Sequence, residues 1–423
     1  MAPLLGIIAD DFTGAVMVAG LLETAGVSCP VVFDPKAIGS DEASPVIMVA
    51  ARSRTVPVNE AMAEVARIAD HLTAAGCARL AYKACASFDS TASGNIGPAA
   101  DLLALRAGRR PVLMSAGFPR FGATVHQGYL FYRGRLVSES IKRLDPLTPM
   151  CDPDLVRFLG LQTPSGVGLI AHATLVDGLD AAKRALQRLT DAGMGHVLCD
   201  ASDDCDIEVT ADLAIVSGLP VVASDPLIVA LARRLAQGSA AVPVPVRMPA
   251  GPVAILAGST GPVVLEQLAV LAQAHPVLVM DVLDARGEVA LVAEALDWAG
   301  RHSGPFAVST AADADGVARS QAALGPLGAA RRAEALLGAV AAGLRDRGRR
   351  RFVIAGGETS GAVVAALGVG RVRALPEGIL GVGICVTDGE DPLALYLKPG
   401  KLGAADVLAL AASGAGFDEQ EGG

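Results

Sequence analysis

The amino-acid sequence predicts a two-domain α/β protein, each domain a mostly parallel sheet flanked by helices, with the ligand cleft between them. Three observations carry that prediction. A chain of 423 residues exceeds what one ordinary core holds, so it divides. Its apolar residues, 52% of the total, are mainly aliphatic or small, and aromatics are only 4%, a composition suited to buried parallel strands and closely packed helices. Short aliphatic runs also alternate with helical periodicity from one end to the other, the rhythm of βαβ units.

Taken in order, the runs Leu4–Ala9, Val46–Ala50, Leu80–Lys83, Val112–Ser115, Gly168–Ala171 and His196–Asp200 read as strands. Stretches such as Glu60–Ala75 and Ala181–Ala192 carry apolar residues at three- and four-residue spacing and read as helices. The segment Gln237–Pro252 is rich in Pro, Gly and Ala and lacks a helical period, as linkers do. The expected division is therefore an N-terminal domain over 1–236, a linker over 237–252 and a C-terminal domain over 253–423. A second series of strands follows the linker: Val253–Ala257, Val277–Met280, Phe306–Ser309, Phe352–Ala355, Gly381–Val386 and Leu393–Leu397. The basic run Arg345–Arg351 reads as a solvated helix end and turn.

Charge and composition exclude several functions. A net charge of -9 argues against a general nucleic-acid binder, which needs a basic face. The seven cysteines are scattered and form no Cys-x-x-Cys pair, which fits a reduced, cytoplasmic setting. The six histidines are equally isolated, so no protein-built metal site is expected. The opening apolar run meets Asp10 and Asp11 almost at once and reads as a first strand rather than a signal peptide. No run approaches the roughly 18 apolar residues of a membrane span.

Several turns carry chemistry. In Phe352–Leu367 a buried strand meets Gly356-Gly-Glu-Thr-Ser-Gly361, which opens a helix. The glycines permit close backbone approach, Thr359 and Ser360 add hydroxyls, and a helix N-terminus favours phosphate. A phosphate cradle and a tight, capped corner both fit this pattern; it is not a Walker A loop. Leu256–Pro262, with Ser259, again joins a strand to a helix, and Lys398-Pro-Gly-Lys-Leu-Gly403 sets two cations beside glycines. Three phosphate-compatible turns in one half point to a nucleotide site there.

In the first half, Asp10 and Asp11 stand at the carboxyl end of the first strand, the edge where open parallel sheets bind ligands. One carboxylate can take a hydroxyl proton or hold a cation while the other caps the next helix, and capping by both is the blander account. Ser53-Arg54-Thr55 offers a fork for a carboxylate at the same edge. The loop after Lys83 crowds Ser87, Asp89, Ser90, Thr91 and Asn95. It suits a polyhydroxylated acid whose carboxylate meets Lys83, or else a solvated loop of Asx and Ser/Thr turns. His126 is a candidate general base; His172 reads as a buried structural histidine, and Cys85 has no histidine partner nearby.

These segments resemble, in order and over nearly the whole chain, the motifs of the four-carbon acid sugar kinase family. They are Ile8–Ala15 (IADDFTGA), Ser53–Thr55 (SRT), Tyr82–Gly97 (YKACASFDSTASGNIG), Pro146–Met150 (PLTPM) and Gly356–Ala362 (GGETSGA). The form of the third motif is similar to the 3-oxo-tetronate kinase branch. The resemblance implies a sugar-acid-binding N-terminal domain and an ATP-binding C-terminal domain. ATP, with Mg²⁺ on its phosphates, would phosphorylate a terminal hydroxyl of a short sugar acid. The candidates are a 3-oxo-tetronate, a branched relative such as 3-oxo-isoapionate, or D-threonate and D-erythronate.

Residue by residue, the resemblance places Asp10 and Asp11 in catalysis and Arg54, Lys83, Ser87, Asp89, Ser90 and Asn95 on the sugar acid. It places Ser259, Gly356, Gly357, Glu358, Thr359, Ser360, Gly361 and Gly403 on the nucleotide. The expected partner is a small-molecule sugar acid rather than nucleic acid or membrane, and a homodimer is compatible with it. Four departures stand out. Met17 replaces an Asp, Ala123 an Arg, and Ala223-Ser-Asp-Pro226 a glycine-rich turn, while Lys398–Gly403 varies the last motif. Three of the four fall on the substrate side, which suggests a shifted substrate; the alternative is a non-catalytic sugar-acid or nucleotide-binding protein derived from such a kinase. A dinucleotide-dependent dehydrogenase lacks its fingerprint glycines here.

Overall fold

The computed structural model describes residues 3–39, 44–145, 147–238, 246–258, 261–400 and 402–418. The chain forms two compact units. The first comprises Met1–Val18, Ala25–Cys29 and Ile38–Val242, the second Ala19–Thr24, Pro30–Ala37 and Pro243–Gly423. Each is a sheet flanked by helices.

The sheet of the first unit is parallel. Its strands lie in the order Val46–Ala50, Leu5–Ala9, Arg79–Lys83, Val221–Ala223, Val112–Ser115, His196–Cys199, Val167–Ile170. The inner strands are unbroken aliphatic runs because both faces are covered; Leu5–Ala9 and Val46–Ala50 are buried at every residue. Their register sets the site. Ala9 pairs with Ala50 and with Lys83, and Lys83 pairs with Ala223, so the carboxyl ends of four strands finish level.

A separate antiparallel meander, Ala123–His126, Tyr129–Tyr132 and Arg135–Leu136, belongs to the same unit. Its turns fall at Gln127-Gly128 and Arg133-Gly134, where all four residues have φ between 51 and 78°. That is the conformation two-residue hairpins use. The usual Asn-Gly or Asp-Gly signal is missing, so no local turn signal marks these strands.

In the second unit, Val277–Val279, Phe306–Ser309, Val253–Ala257, Arg351–Ala355 and Ala394–Lys398 run parallel, in that order. Beyond them Ile384–Val386, Arg371–Ala374 and Pro30–Val32 add an antiparallel edge. The core packs the sheet against flanking helices through residues such as Ile255, Val264, Leu268, Val353, Leu408 and Phe417. The run Gly381–Val386 shortens to Ile384–Val386 because Gly381 and Gly383 take left-handed φ. Among the described residues, no helix is long and apolar enough to cross a membrane.

The basic run does end the helix Pro326–Asp346 in an exposed turn over Asp346–Gly348, but the guanidiniums around it are held by the protein itself. Arg345 donates to the carbonyl of Leu367, Arg349 to that of His302, and Arg351 to that of Pro249. Arg350 grips Asp391 through two bonds of 2.7 and 2.8 Å. At Leu367 and His302 the guanidiniums close carbonyls left open just beyond helix ends.

Candidate functional site

The level strand ends of the first unit converge charged side chains. Asp10 and Asp11 follow Leu5–Ala9, Arg54 follows Val46–Ala50, Lys83 ends Arg79–Lys83, and Asp225 follows Val221–Ala223. Arg54 holds both aspartates. Its Nε and Nη2 donate to the two oxygens of Asp10 at 2.7 and 2.8 Å, and its Nη1 lies 3.0 Å from Asp11 Oδ2. The fork expected for a substrate carboxylate is thus engaged by the protein's own carboxylates.

The two aspartates differ in their bonding: Arg54 takes both oxygens of Asp10 but only one of Asp11. Asp11 Oδ1 accepts the backbone N–H of Gly14 at 2.8 Å and caps the helix Phe12–Thr24. Burial alone would raise the Asp11 pKa, but the charges of Arg54 and Lys83 outweigh it and hold the carboxyl below its ordinary range. Burial likewise opposes the Arg54 charge, yet Asp10 and Asp11 lift its pKa well above the ordinary value. Gly14 permits this crowding: a Cβ there would stand 2.1 Å from Lys83 Nζ and 2.5 Å from Asp11 Oδ1.

Lys83 is buried, and its amine lies 3.7 Å from Asp225 Oδ1. Sequence reasoning noticed Asp225 only as a departure in a turn, although its place after a strand carries the same signal as that of Asp10. The loop after Lys83 is also buried, against the solvated alternative. Ser87 donates to Asp89 at 2.7 Å, and Lys142 donates to the other Asp89 oxygen at 2.8 Å. Ser90 accepts from Gln162 at 3.2 Å. Buried polar groups need such partners, and these bonds supply them.

The side-chain amide of Asn95 donates to the carbonyls of Ser53 and Val56 at 2.6 and 2.9 Å, fixing the turn that carries Arg54. Its Oδ1 has no hydrogen-bond partner among the described residues. Cys85 accepts the Asp89 N–H at 3.0 Å, and burial pushes its thiol pKa up, away from a reactive thiolate. Lys142 and Gln162 were missed because nothing local marks them; they reach the loop from 53 and 72 residues away.

His126 is exposed, and its Nδ1 lies 3.0 Å from Ser202 Oγ. His172 is half-buried rather than buried, with Nδ1 against Asp206 at 2.9 Å. Isolated in sequence, the two rings come within 5.4 Å of each other. Met17 and Ala123 are both buried in the first unit.

In the second unit the strand Arg351–Ala355 ends at Gly356, whose φ of 132° and ψ of 136° only glycine adopts easily, and the helix Gly357–Ala366 begins at once. The N–H groups of its first turn, over Gly357, Glu358 and Thr359, have no intrahelical carbonyl to meet. Thr359 and Ser360 are buried, and Ser360 Oγ donates back to the Gly356 carbonyl at 2.7 Å. Gly361 is buried one turn in.

Lys398 ties this turn to the next. Its carbonyl accepts the Gly356 N–H at 3.0 Å, and its buried amine donates to the carbonyls of Pro399 and Leu402 at 2.6 and 2.8 Å. The lysine expected to offer a cation therefore faces inward, and burial lowers its pKa to about 8. Gly403 follows with φ of 96°, its carbonyl accepting from Gln267 at 3.2 Å. Ser259 and Lys401 lie outside the described residues. A glycine corner, buried hydroxyls and a helix N-terminus fit a phosphate-bearing ligand.

Comparison with known proteins agrees with both halves. Residues 5–231 match the model of a sugar-binding N-terminal domain, and residues 254–408 match that of a nucleotide-binding C-terminal domain. A 3-oxo-tetronate kinase of Methylobacterium radiotolerans is 39% identical, the match covering 96% of this chain and 98% of that one. Another from Burkholderia multivorans is 38% identical, covering 96% of each. A crystal structure from Salmonella typhimurium, described as a tRNA synthase, superposes with a TM-score of 0.81 at 29% identity, covering 97% of this chain and 99% of that one. A Haemophilus influenzae protein gives 0.70 at 29%, covering 96% and 99%. The chain belongs to the four-carbon acid sugar kinase family.

Proposed function

We propose that this phosphotransferase uses ATP to phosphorylate a terminal hydroxyl of a short sugar acid, a 3-oxo-tetronate or a close relative of it. The observation that carries the reading is the pairing of two chemistries along one chain. A hydroxyl- and carboxylate-rich strand edge, built on Asp10, Asp11 and Arg54, accompanies a glycine corner opening a helix at Gly356. The names of the relatives support the substrate class.

Phosphoryl transfer rests mainly on positioning and charge neutralisation. The first helical turn over Gly357–Thr359 would hold phosphate through backbone N–H groups, and Gly403, which follows the Lys398 turn, would serve the same ligand. Mg²⁺ brought with the nucleotide would supply charge neutralisation, and Glu358, in the first turn of this helix, is the carboxylate here that would hold it. Asp10, oriented by Arg54, would accept the hydroxyl proton, while Asp11 keeps its capping bond. Ser87, Ser90 and Asp89 supply hydrogen-bonding groups for the substrate hydroxyls. The departures at Met17 and Ala123 favour a substrate displaced from the family's usual acid, such as a branched one. The scattered cysteines, none in a Cys-x-x-Cys pair, support a cytoplasmic location.

An ADP-release assay over four- and five-carbon sugar acids tests the reading, with phosphorus NMR locating the product phosphate. Turnover on one acid at a terminal oxygen is expected. Tight acid binding without turnover on any member would replace the kinase with a binding protein.

A further inference from the structure

Five charged side chains share the strand edge of the first unit: Asp10, Asp11 and Asp225 against Arg54 and Lys83. Arg54 spends its donors on Asp10 and Asp11. The Lys83 side chain is only 2% exposed and that of Asp225 only 5%, so each has exchanged water for the other's company. Burial raises the Asp225 pKa and the Lys83 charge opposes that rise; with all three carboxylates ionised against two cations, the edge carries one net negative charge. A substrate carboxylate arriving beside Lys83 would meet Asp225 in a low-dielectric corner, where like charges repel strongly.

The separation is also informative. At 3.7 Å the pair is wider than a direct hydrogen bond of about 2.7–3.2 Å. A hydroxyl donates to a carboxylate and accepts from an ammonium group, so it satisfies both partners at once. A carboxylate satisfies only the ammonium. Burial opposes the Lys83 charge, but Asp225, Asp10 and Asp11 together raise its pKa, so the lysine stays charged beside its partner.

We propose that Asp225 is a specificity-determining residue: by holding Lys83 in a buried ion pair, it makes this corner receive a substrate hydroxyl rather than the substrate carboxylate. The inference rests on the sugar-acid kinase reading above. It predicts that discrimination between an acid and the neutral polyol of the same carbon skeleton is weak at this corner and rises when Asp225 loses its charge.

The test compares KM for the best acid of the panel with the inhibition constant of the matching polyol, erythritol for a four-carbon acid. In Asp225→Ser, and in the isosteric Asp225→Asn, the preference for the acid should rise at least about tenfold, the effect of 1.4 kcal/mol. In a Lys83→Met background the same substitutions should leave it unmoved, because no ammonium remains to be freed. An unchanged preference in folded Asp225 variants overturns the proposal, as does a shift that persists without Lys83. Failure of both variants to fold gives Asp225 a purely structural role and also overturns it. Absence of ADP release from the wild-type protein with every acid refutes the kinase reading instead, so the two failures are distinguishable.

Discussion

Replacing Arg54 by lysine keeps the charge and removes the fork. The guanidinium reaches Asp10 through two bonds of 2.7 and 2.8 Å and Asp11 across 3.0 Å. An ammonium group is a point charge that serves one carboxylate well. At least one charge-assisted bond and one buried ion pair are then weakened, the former worth about 1.5–3 kcal/mol. A unit charge pair at 3.0 Å attracts by about 5 kcal/mol at an effective dielectric near 20, and lysine recovers part of it. A net loss of about 3 kcal/mol follows, which is about 100-fold if expressed in kcat/KM for the sugar acid. Steady-state kinetics on both substrates, with urea unfolding in parallel, measure it. The acid's kcat/KM should fall by about two orders of magnitude while ATP affinity holds. A loss of less than about threefold, with unfolding free energy unchanged within about 0.5 kcal/mol, would refute the bridging role.

Two further outcomes test the second unit. Gly356→Ala forces a side chain into φ of 132°, which should cost about 1–3 kcal/mol of stability and weaken nucleotide binding; calorimetry with an ATP analogue would expose an unaffected site. Lys398 has its folded pKa lowered to about 8 by burial, below the unfolded value of about 10.4. Between those values the unfolded chain holds the extra proton, so the contribution is full above the upper value and lost as pH falls through the lower. Unfolding free energy of the wild type relative to Lys398→Met should rise by about 2 kcal/mol from pH 8 to pH 10; parallel pH profiles would contradict the buried, depressed amine.

The parallel strands were legible because burial on both faces leaves an uninterrupted aliphatic signature, as at Val46–Ala50 and Phe306–Ser309. The meander was not, since Tyr129–Tyr132 mixes aromatic and exposed positions and its turns lack Asn-Gly. In the site, Asp10 and Arg54 were readable from their places after strands. Which charge neutralises which was not readable. Asp225 meets Lys83 from 142 positions further along the chain, and Lys142 meets Asp89 through a fold that brings distant loops together. Side-chain types announced a polar strand edge, whereas its electrostatic balance is a property of tertiary contact.

The arginine-rich stretch behaves less as a reservoir of charge than as a set of staples. Arg345, Arg347, Arg349 and Arg351 each fasten to a backbone carbonyl, at Leu367, Leu296, His302 and Pro249. Arg345, Arg347 and Arg351 also pair with Asp346, Asp297 and Asp418, so added electrolyte weakens that share of the grip and leaves the bonds to uncharged carbonyls. The segment whose composition most resembles a polyanion-binding tract is committed to the unit's own seams, and damage to it should register as lost heat resistance rather than as altered ligand affinity.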